Sequence, residues 1–183
     1  TNGQSTMFVY VDGTQGWVPT EDQTTGNYGA LYITATGGTI TCCGDYKIHT
    51  FTSPGTFTVC SVGNPAGSNT VSYMVVAGGG GGGGDQTNGY GGGGGGAGGF
   101  REGRTTTCSY TASPLNAPAG LPVSVQGYPI TVGGGGAFGA SPGPGCAGLF
   151  GTSGANSSFS TITSAGGGGG AGPPNSPAPT GGA

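Results

Sequence analysis

Tyr73-Met74-Val75-Val76-Ala77, running straight into seven glycines from Gly78 to Gly84, is the stretch on which the fold turns. Its first half is apolar and β-branched, side chains that suit a pleated surface. With Val71 and Ser72 it is continuous enough to read as a central strand. Its second half has no side chains at all. The same junction recurs: Tyr128-Pro129-Ile130-Thr131-Val132 runs into Gly133 to Gly136, Ser158-Phe159-Ser160-Thr161-Ile162 precedes Gly166 to Gly170, and a further run covers Gly91 to Gly96.

Oligoglycine as a flexible linker is the plain alternative. Linkers join domains, however, whereas these runs recur within one unit and abut strand signals. Polyglycine also forms an extended left-handed helix of three residues per turn, rising about 3.1 Å per residue, so seven residues span roughly 22 Å. Alone it has no internal hydrogen bonds; side by side, such helices exchange amide and carbonyl bonds across a distance only glycine permits. Ordering glycine is entropically costly. A β scaffold fixing the ends of each run lowers that cost, and the loops interrupting the runs then become the rim of a rigid slab.

Outward from these junctions the strand signals are short. Leu31-Tyr32-Ile33-Thr34, Gly38-Thr39-Ile40-Thr41, Tyr46 to Phe51 and Thr56 to Val59 are separated by turn signals at Gly37-Gly38, Gly44-Asp45 and Ser53-Pro54-Gly55. In the third, Tyr46, Ile48 and Thr50 alternate with Lys47, His49 and Phe51, a half-buried strand with His49 on its solvent side. Arg104 to Tyr110 and Leu121 to Val125 are further candidates. Upstream, Thr6 to Val11 and Trp17-Val18-Pro19 flank Asp12-Gly13, a hairpin signal.

The 48 glycines and 13 prolines leave no helical window. The expectation is an all-β chain: a β-sandwich with polyglycine II-like segments and no helix. Residues 1–20 read as the terminal hairpin of a stem or assembly module, 21–29 as a linker, 30–171 as the glycine-rich β domain and 172–183 as a Pro/Gly-rich tail. The sequence contains no signal-peptide pattern and begins at Thr1, as a processed chain or a fragment would.

Charged residues make up only 5% and the net charge is −3. Nucleic acid needs a clustered basic surface, which three cations do not provide. No apolar run approaches the roughly 20 residues of a membrane helix. Phosphate-binding glycine loops open a helix, and none is expected. His49 is the one histidine, without a nucleophile or orienting group around it in sequence, so the chain reads as no enzyme and as needing no cofactor. Asp12, Asp45 and Asp85 each stand alone, and no CxxC pair exists, so no metal site is expected. Cys42, Cys43, Cys60, Cys108 and Cys146 are disulfide candidates whose pairing stays open, at about 15 ways to draw two bridges. Asn156-Ser157-Ser158 is a glycosylation acceptor triplet. Arg101, Glu102 and Arg104 read as a solvated edge.

Ala35 to Ile40, Lys47 to Thr52, Gly55 to Val59, Tyr73 to Gly79, Gly96 to Arg101 and Tyr128 to Gly134 together resemble the glycine-rich domain of bacteriophage tail fibres and tail adhesins, as in phages of aquatic bacteria. Tyr10-Val11-Asp12-Gly13-Thr14-Gln15-Gly16-Trp17 looks like the closing hairpin of a stem module that precedes such domains. The resemblance implies an extracellular virion fibre component for host attachment, a trimeric or filamentous homo-oligomer that contacts a cell-surface glycan or protein. It implies polyglycine II helices bearing receptor-contacting loops. The candidate contact residues are Asp85, Gln86, Asn88, Tyr90, Phe100, Phe138, Leu149 and Phe150. The five cysteines and the Pro173 to Pro179 tail depart from such a domain. They sustain a second expectation, a purely structural subunit of a non-viral secreted filament or matrix that assembles by strand exchange.

Overall fold

The structure, a computed structural model, describes residues 8–12, 16–19, 30–65, 67–84, 91–104, 117, 119–140 and 149–172. Every regular element among them is a strand and none is a helix, so the chain is all-β. In order the strands are β1 (Phe8–Asp12), β2 (Gly16–Pro19), β3 (Thr34–Thr36), β4 (Thr39–Cys43), β5 (Tyr46–Thr50), β6 (Gly55–Ser61) and β7 (Thr70–Val71). They continue with β8 (Tyr73–Val76), β9 (Phe100–Gly103), β10 (Leu121–Pro122), β11 (Gly127–Thr131), β12 (Ser157–Phe159) and β13 (Ile162–Ser164).

The body is a five-stranded antiparallel sheet in the order β13-β12-β11-β6-β3. Four two-stranded pairings accompany it: β1 with β2, β4 with β5, β7 with β10 and β8 with β9. The hairpin expected near the start is present, with Val9 opposite Val18 and Tyr10 opposite Trp17. Gly44 closes the β4–β5 turn at φ 56, a left-handed conformation that favours glycine.

Side-chain packing holds this body together. Phe57 and Tyr128 face each other across β6 and β11, and Phe159 meets Phe57 edge to face, centroids 5.9 Å apart. Tyr128 and Tyr73 also approach Phe159, each at 6.2 Å. Offset and edge contacts of this kind add about 0.5–1.5 kcal/mol per pair beyond the area they bury. Ala35, Val59, Val75 and Val123 complete the buried cluster.

Several expected strands are redrawn. Leu31 to Thr34 gives way to Thr34–Thr36, because the Leu31 amide and carbonyl are both held by Asn64, at 3.0 and 3.1 Å. The period-two pattern begins only where Ala35 turns inward. The run from Val71 to Val76 is no central strand. It breaks at Ser72, Val71 pairing with Leu121 and Tyr73 with Gly103; among the described strands β8 pairs with β9 alone, and Met74 and Val76 are exposed. Ser158 to Ile162 is a hairpin rather than a strand: Ser160 takes φ 55 and its amide donates to the Pro129 carbonyl at 3.1 Å. Leu121 to Val125 shortens to two residues, with Val123 buried and Val125 exposed.

The faces of β5 are reversed. Tyr46 and Ile48 are exposed, and His49 is the half-buried residue, its Nδ1 2.8 Å from the Gly37 carbonyl and its ring edge-on to Phe57 at 5.0 Å. The β4–β5 hairpin is a sheet of its own, so only the side that meets Phe57 finds cover. Nor is Glu102 part of a solvated edge. It is buried, 7% exposed, opposite Met74 on β9, and its carbonyl accepts from the Ala117 amide at 2.9 Å.

Candidate functional site

Each glycine run continues a strand or leads into one. The first rod, 77–84, leaves β8; the second, 91–99, enters β9; the third, 133–140, follows β11; the fourth, 149–156, enters β12; and the fifth, from 165, leaves β13. The antiparallel ladders β8–β9, β11–β12 and β12–β13 therefore set three of the rod-to-rod adjacencies before any glycine bonds to another.

The rods bond with a period of three. From the first rod, Ala77, Gly80 and Gly83 donate to Gly99, Gly96 and Gly93 of the second, at 3.0, 2.8 and 2.8 Å. Gly78, Gly81 and Gly84 donate to Ala155, Thr152 and Leu149 of the fourth, at 3.1, 2.9 and 2.8 Å. Gly136 and Gly139 of the third rod donate to the Gly79 and Gly82 carbonyls, and Gly167 and Gly170 of the fifth to those of Gly78 and Gly81. The outer rods are joined second to fifth, fifth to fourth and fourth to third. This is the polyglycine II pattern: the first rod is central, its third and fifth neighbours run parallel to it and the second and fourth antiparallel.

Close approach dictates which positions tolerate a side chain. A Cβ on Gly80 would overlap the Gly168 carbonyl, and one on Gly81 the Ala137 carbonyl. At Gly79 and Gly82 the nearest atoms would be 3.5 and 3.6 Å away, ordinary contact. In the third rod the crowded positions are Gly133, Gly136 and Gly139, and in the fourth Gly151 and Gly154. Every side chain of those two rods, Phe138 and Leu149 included, falls on the other two phases. This glycine-every-third pattern is in the sequence and is the signal that counting consecutive glycines overlooks.

Side chains cap the rods at the scaffold end and beside it. Ser157, buried, accepts from the Gly133 amide at 3.0 Å; Asn156 Oδ1 accepts from Gly166 at 2.9 Å; Thr152 Oγ1 accepts from Ala137 at 2.7 Å. The acceptor triplet at 156–158 thus has a structural use. Nearby, hydrogen bonds from the Ser124 side chain and backbone, and then from the Gln126 side chain, lower the Tyr128 phenol below its usual 10.0, against the opposing effect of burial. Its oxygen lies 2.8 Å from the Ser124 amide.

The opposite end of the layer is the candidate site. There Gly84, Ala140 and Leu149 meet through the bonds Gly84 to Leu149 and Leu149 to Ala140, at 2.8 and 3.0 Å. Phe138 stands 78% exposed and Leu149 57%, with Phe150 half-buried beside them. These three candidates are brought to one end. Phe100 is not: it sits opposite Val76 in the β8–β9 ladder, at the scaffold end. Asp85, Gln86, Asn88 and Tyr90 lie outside the described residues, between Gly84 and Gly91, as do the linker 21–29 and the Pro-rich tail from 173.

The expected disulfides are not formed among the described cysteines: Cys42, Cys43 and Cys60 are exposed free thiols, while Cys108 and Cys146 lie outside the described residues. Cys42 and Cys43 stand opposite Lys47 and Tyr46 in the β4–β5 hairpin. No group of three metal-ligating side chains occurs among the described residues.

A family model described as a glycine-rich domain matches residues 51–183. No curated protein and no solved structure matches the chain.

Proposed function

We propose that this chain, which belongs to the glycine-rich domain family, is an extracellular structural and adhesive protein, a homo-oligomeric component of a virion tail fibre that attaches to a host surface. The observation that carries the reading is the polarity of the glycine layer. Its rods are rooted in strands at one end. At the other end the first and third rods reach Gly84 and Ala140, and the second and fourth begin at Gly91 and Leu149. A bonded backbone slab is a stiff mount, and variable segments on a stiff mount bind with little ordering cost.

Exposed Phe138 and Leu149 at these rod ends are the anchors we assign to the receptor, a glycan or protein of the cell surface. Catalysis, cofactors and membrane insertion have no part in this reading. The test is binding to a glycan array and to a panel of bacterial cells. Saturable binding that falls at least about tenfold in Phe138→Ala with Leu149→Ala, or on exchanging residues 85–90, at unchanged melting temperature, supports attachment. Saturable binding untouched by those changes refutes this site.

One observation favours a second reading, a subunit of a non-viral filament or matrix. The β1–β2 hairpin is a sheet by itself, joined to none of the other described strands, and a lone hairpin is marginal in water. Pairing with a neighbouring subunit would complete it. Filaments formed by the isolated chain and lost on removing residues 1–20, with no saturable binding to any cell, would decide for that role.

A further inference from the structure

Among the described residues the central rod is not bonded all the way round. Three residues per turn, each with one donor and one acceptor, send hydrogen bonds in six directions. Four are used, towards the second, third, fourth and fifth rods. The amides of Gly79 and Gly82 and the carbonyls of Ala77, Gly80 and Gly83 meet no partner among the described residues.

Peptide planarity places both sets on the same side. The carbonyl and amide of one trans peptide unit point in opposite directions. Gly78 directs its carbonyl to the fifth rod, so the Gly79 amide points away from that rod. Gly81 directs its amide to the fourth rod, so the Gly80 carbonyl points away from that one. Burial agrees: Gly78, Gly81 and Gly84 are buried, whereas Gly79, Gly80, Gly82 and Gly83 are half-exposed. Among the described residues the face is bare beyond the central rod as well. A Cβ on Gly94 would meet nothing within 4 Å, and one on Gly135 would find its nearest atom 3.6 Å away.

We propose that this face of the glycine layer is an interface that pairs with the same face of a second copy of the chain. Donors and acceptors repeat along one rod with the same period of three, so the row is complementary to itself. The Gly79 and Gly82 amides of one copy then meet the carbonyls of the same row in the other. Rods bond only when backbones approach as closely as glycine allows, and the chain carries such a bare surface of its own. A β-strand edge, with its period of two, does not match the row. The chain's own segment from Pro173 to Pro179 lacks amide donors at its four prolines, so it cannot satisfy the carbonyls in series.

The bare stretch is three rods wide and about 22 Å long, ending one turn beyond Gly135 at Phe138. It is smaller than a standard interface of about 800 Å² per partner, so pairing is weak and concentration-dependent. The inference does not rest on the attachment reading.

Sedimentation of the full chain over a roughly thousandfold range of concentration, with hydrogen exchange at Gly79 and Gly82, tests it. The expected result is a monomer–dimer equilibrium in which both amides gain protection as dimer forms. Gly79→Lys with Gly82→Lys, whose side chains point off the face, should shift dissociation at least tenfold while leaving the melting temperature in place; a variant that unfolds is replaced by Gly79→Ala with Gly82→Ala. A chain monomeric throughout, or a dimer indifferent to both variants, overturns the proposal. So does protection of these amides in the monomer that disappears on removing residues 173–183, which would mean that the tail covers the face.

Discussion

The scaffold and the glycine layer of this protein are both held by close packing, but opposite parts of the residue do the work. In the scaffold, Phe57, Tyr128 and Phe159 fill space with rings, and the strands between them carry alternating inward and outward residues. In the layer, space is filled by removing side chains until backbones touch, and amides and carbonyls bond every third residue. Hydrophobic burial is approximate, since a core tolerates substitutions that keep volume. Backbone contact is not. The carbonyl that a new Cβ would strike is held in place by a hydrogen bond from another rod, Ala137 from the Thr152 amide and Gly168 from the Gly96 amide.

The comparison would break most visibly at Phe57. Phe57→Ala removes the ring that contacts His49, Tyr128 and Phe159, and should cost about 3–5 kcal/mol in urea denaturation. Because the rods are anchored in scaffold strands, exchange protection of the layer should fall in parallel. Glycine amides that stay protected while the scaffold loosens would show that the layer stands by itself.

Within the layer, neighbouring glycines should respond very differently to the same change. Gly81→Ala, driven into the Ala137 carbonyl, should cost roughly 3 kcal/mol, as severe overpacking does. Gly79→Ala, in ordinary contact, should lie within about 0.5 kcal/mol of the parent or gain slightly from a less flexible unfolded chain. Equal melting temperatures for the two variants would mean that the rods are not bonded as described.

At Ser164 a modest effect should have the opposite sign to that of Gly81→Ala. Ser164, fully buried where β13 gives way to the fifth rod, has a hydroxyl with no partner among the described residues. An orphaned buried hydroxyl is a liability. Ser164→Ala should therefore raise stability by up to about 1 kcal/mol, read as a small rise in melting temperature; a loss of that size would reveal a bond that matters.

Much of the layer was legible in the sequence. Runs of glycine that follow strand signals admit no helix and leave few extended alternatives, and the polyglycine II expectation held because glycine alone permits that approach. The hairpins at 8–19 and 39–50 were equally legible from their turn residues. Less so were strand limits and faces. Leu31 to Ile33 has fine strand composition, but Asn64 captures its backbone; His49 looked solvent-facing, but the aromatic cluster lies on its side of β5. Glu102 sits in a polar triplet and is nonetheless buried. In each case a residue distant in sequence decided, and local propensity carries no record of it. At the candidate site, Phe138, Leu149 and Phe150 lie at one end of the layer, whereas Phe100 falls at the other, because the second rod runs antiparallel to the first and returns its far end to the scaffold.

What the sequence determined by itself is the chemistry of the backbone: where glycine is continuous, or recurs every third residue, a close-packed extended rod is possible and a helix is not. What only the tertiary structure decided is which rods are neighbours. Strand ladders fix the second against the first and the fourth between the third and fifth, but the first rod reaches the centre because β8 and β9 pack on β12 and β13 through Val75, Tyr73 and Phe159. Glycine runs are interchangeable as bonding partners, so their own residues cannot specify an arrangement. The side chains at their roots do.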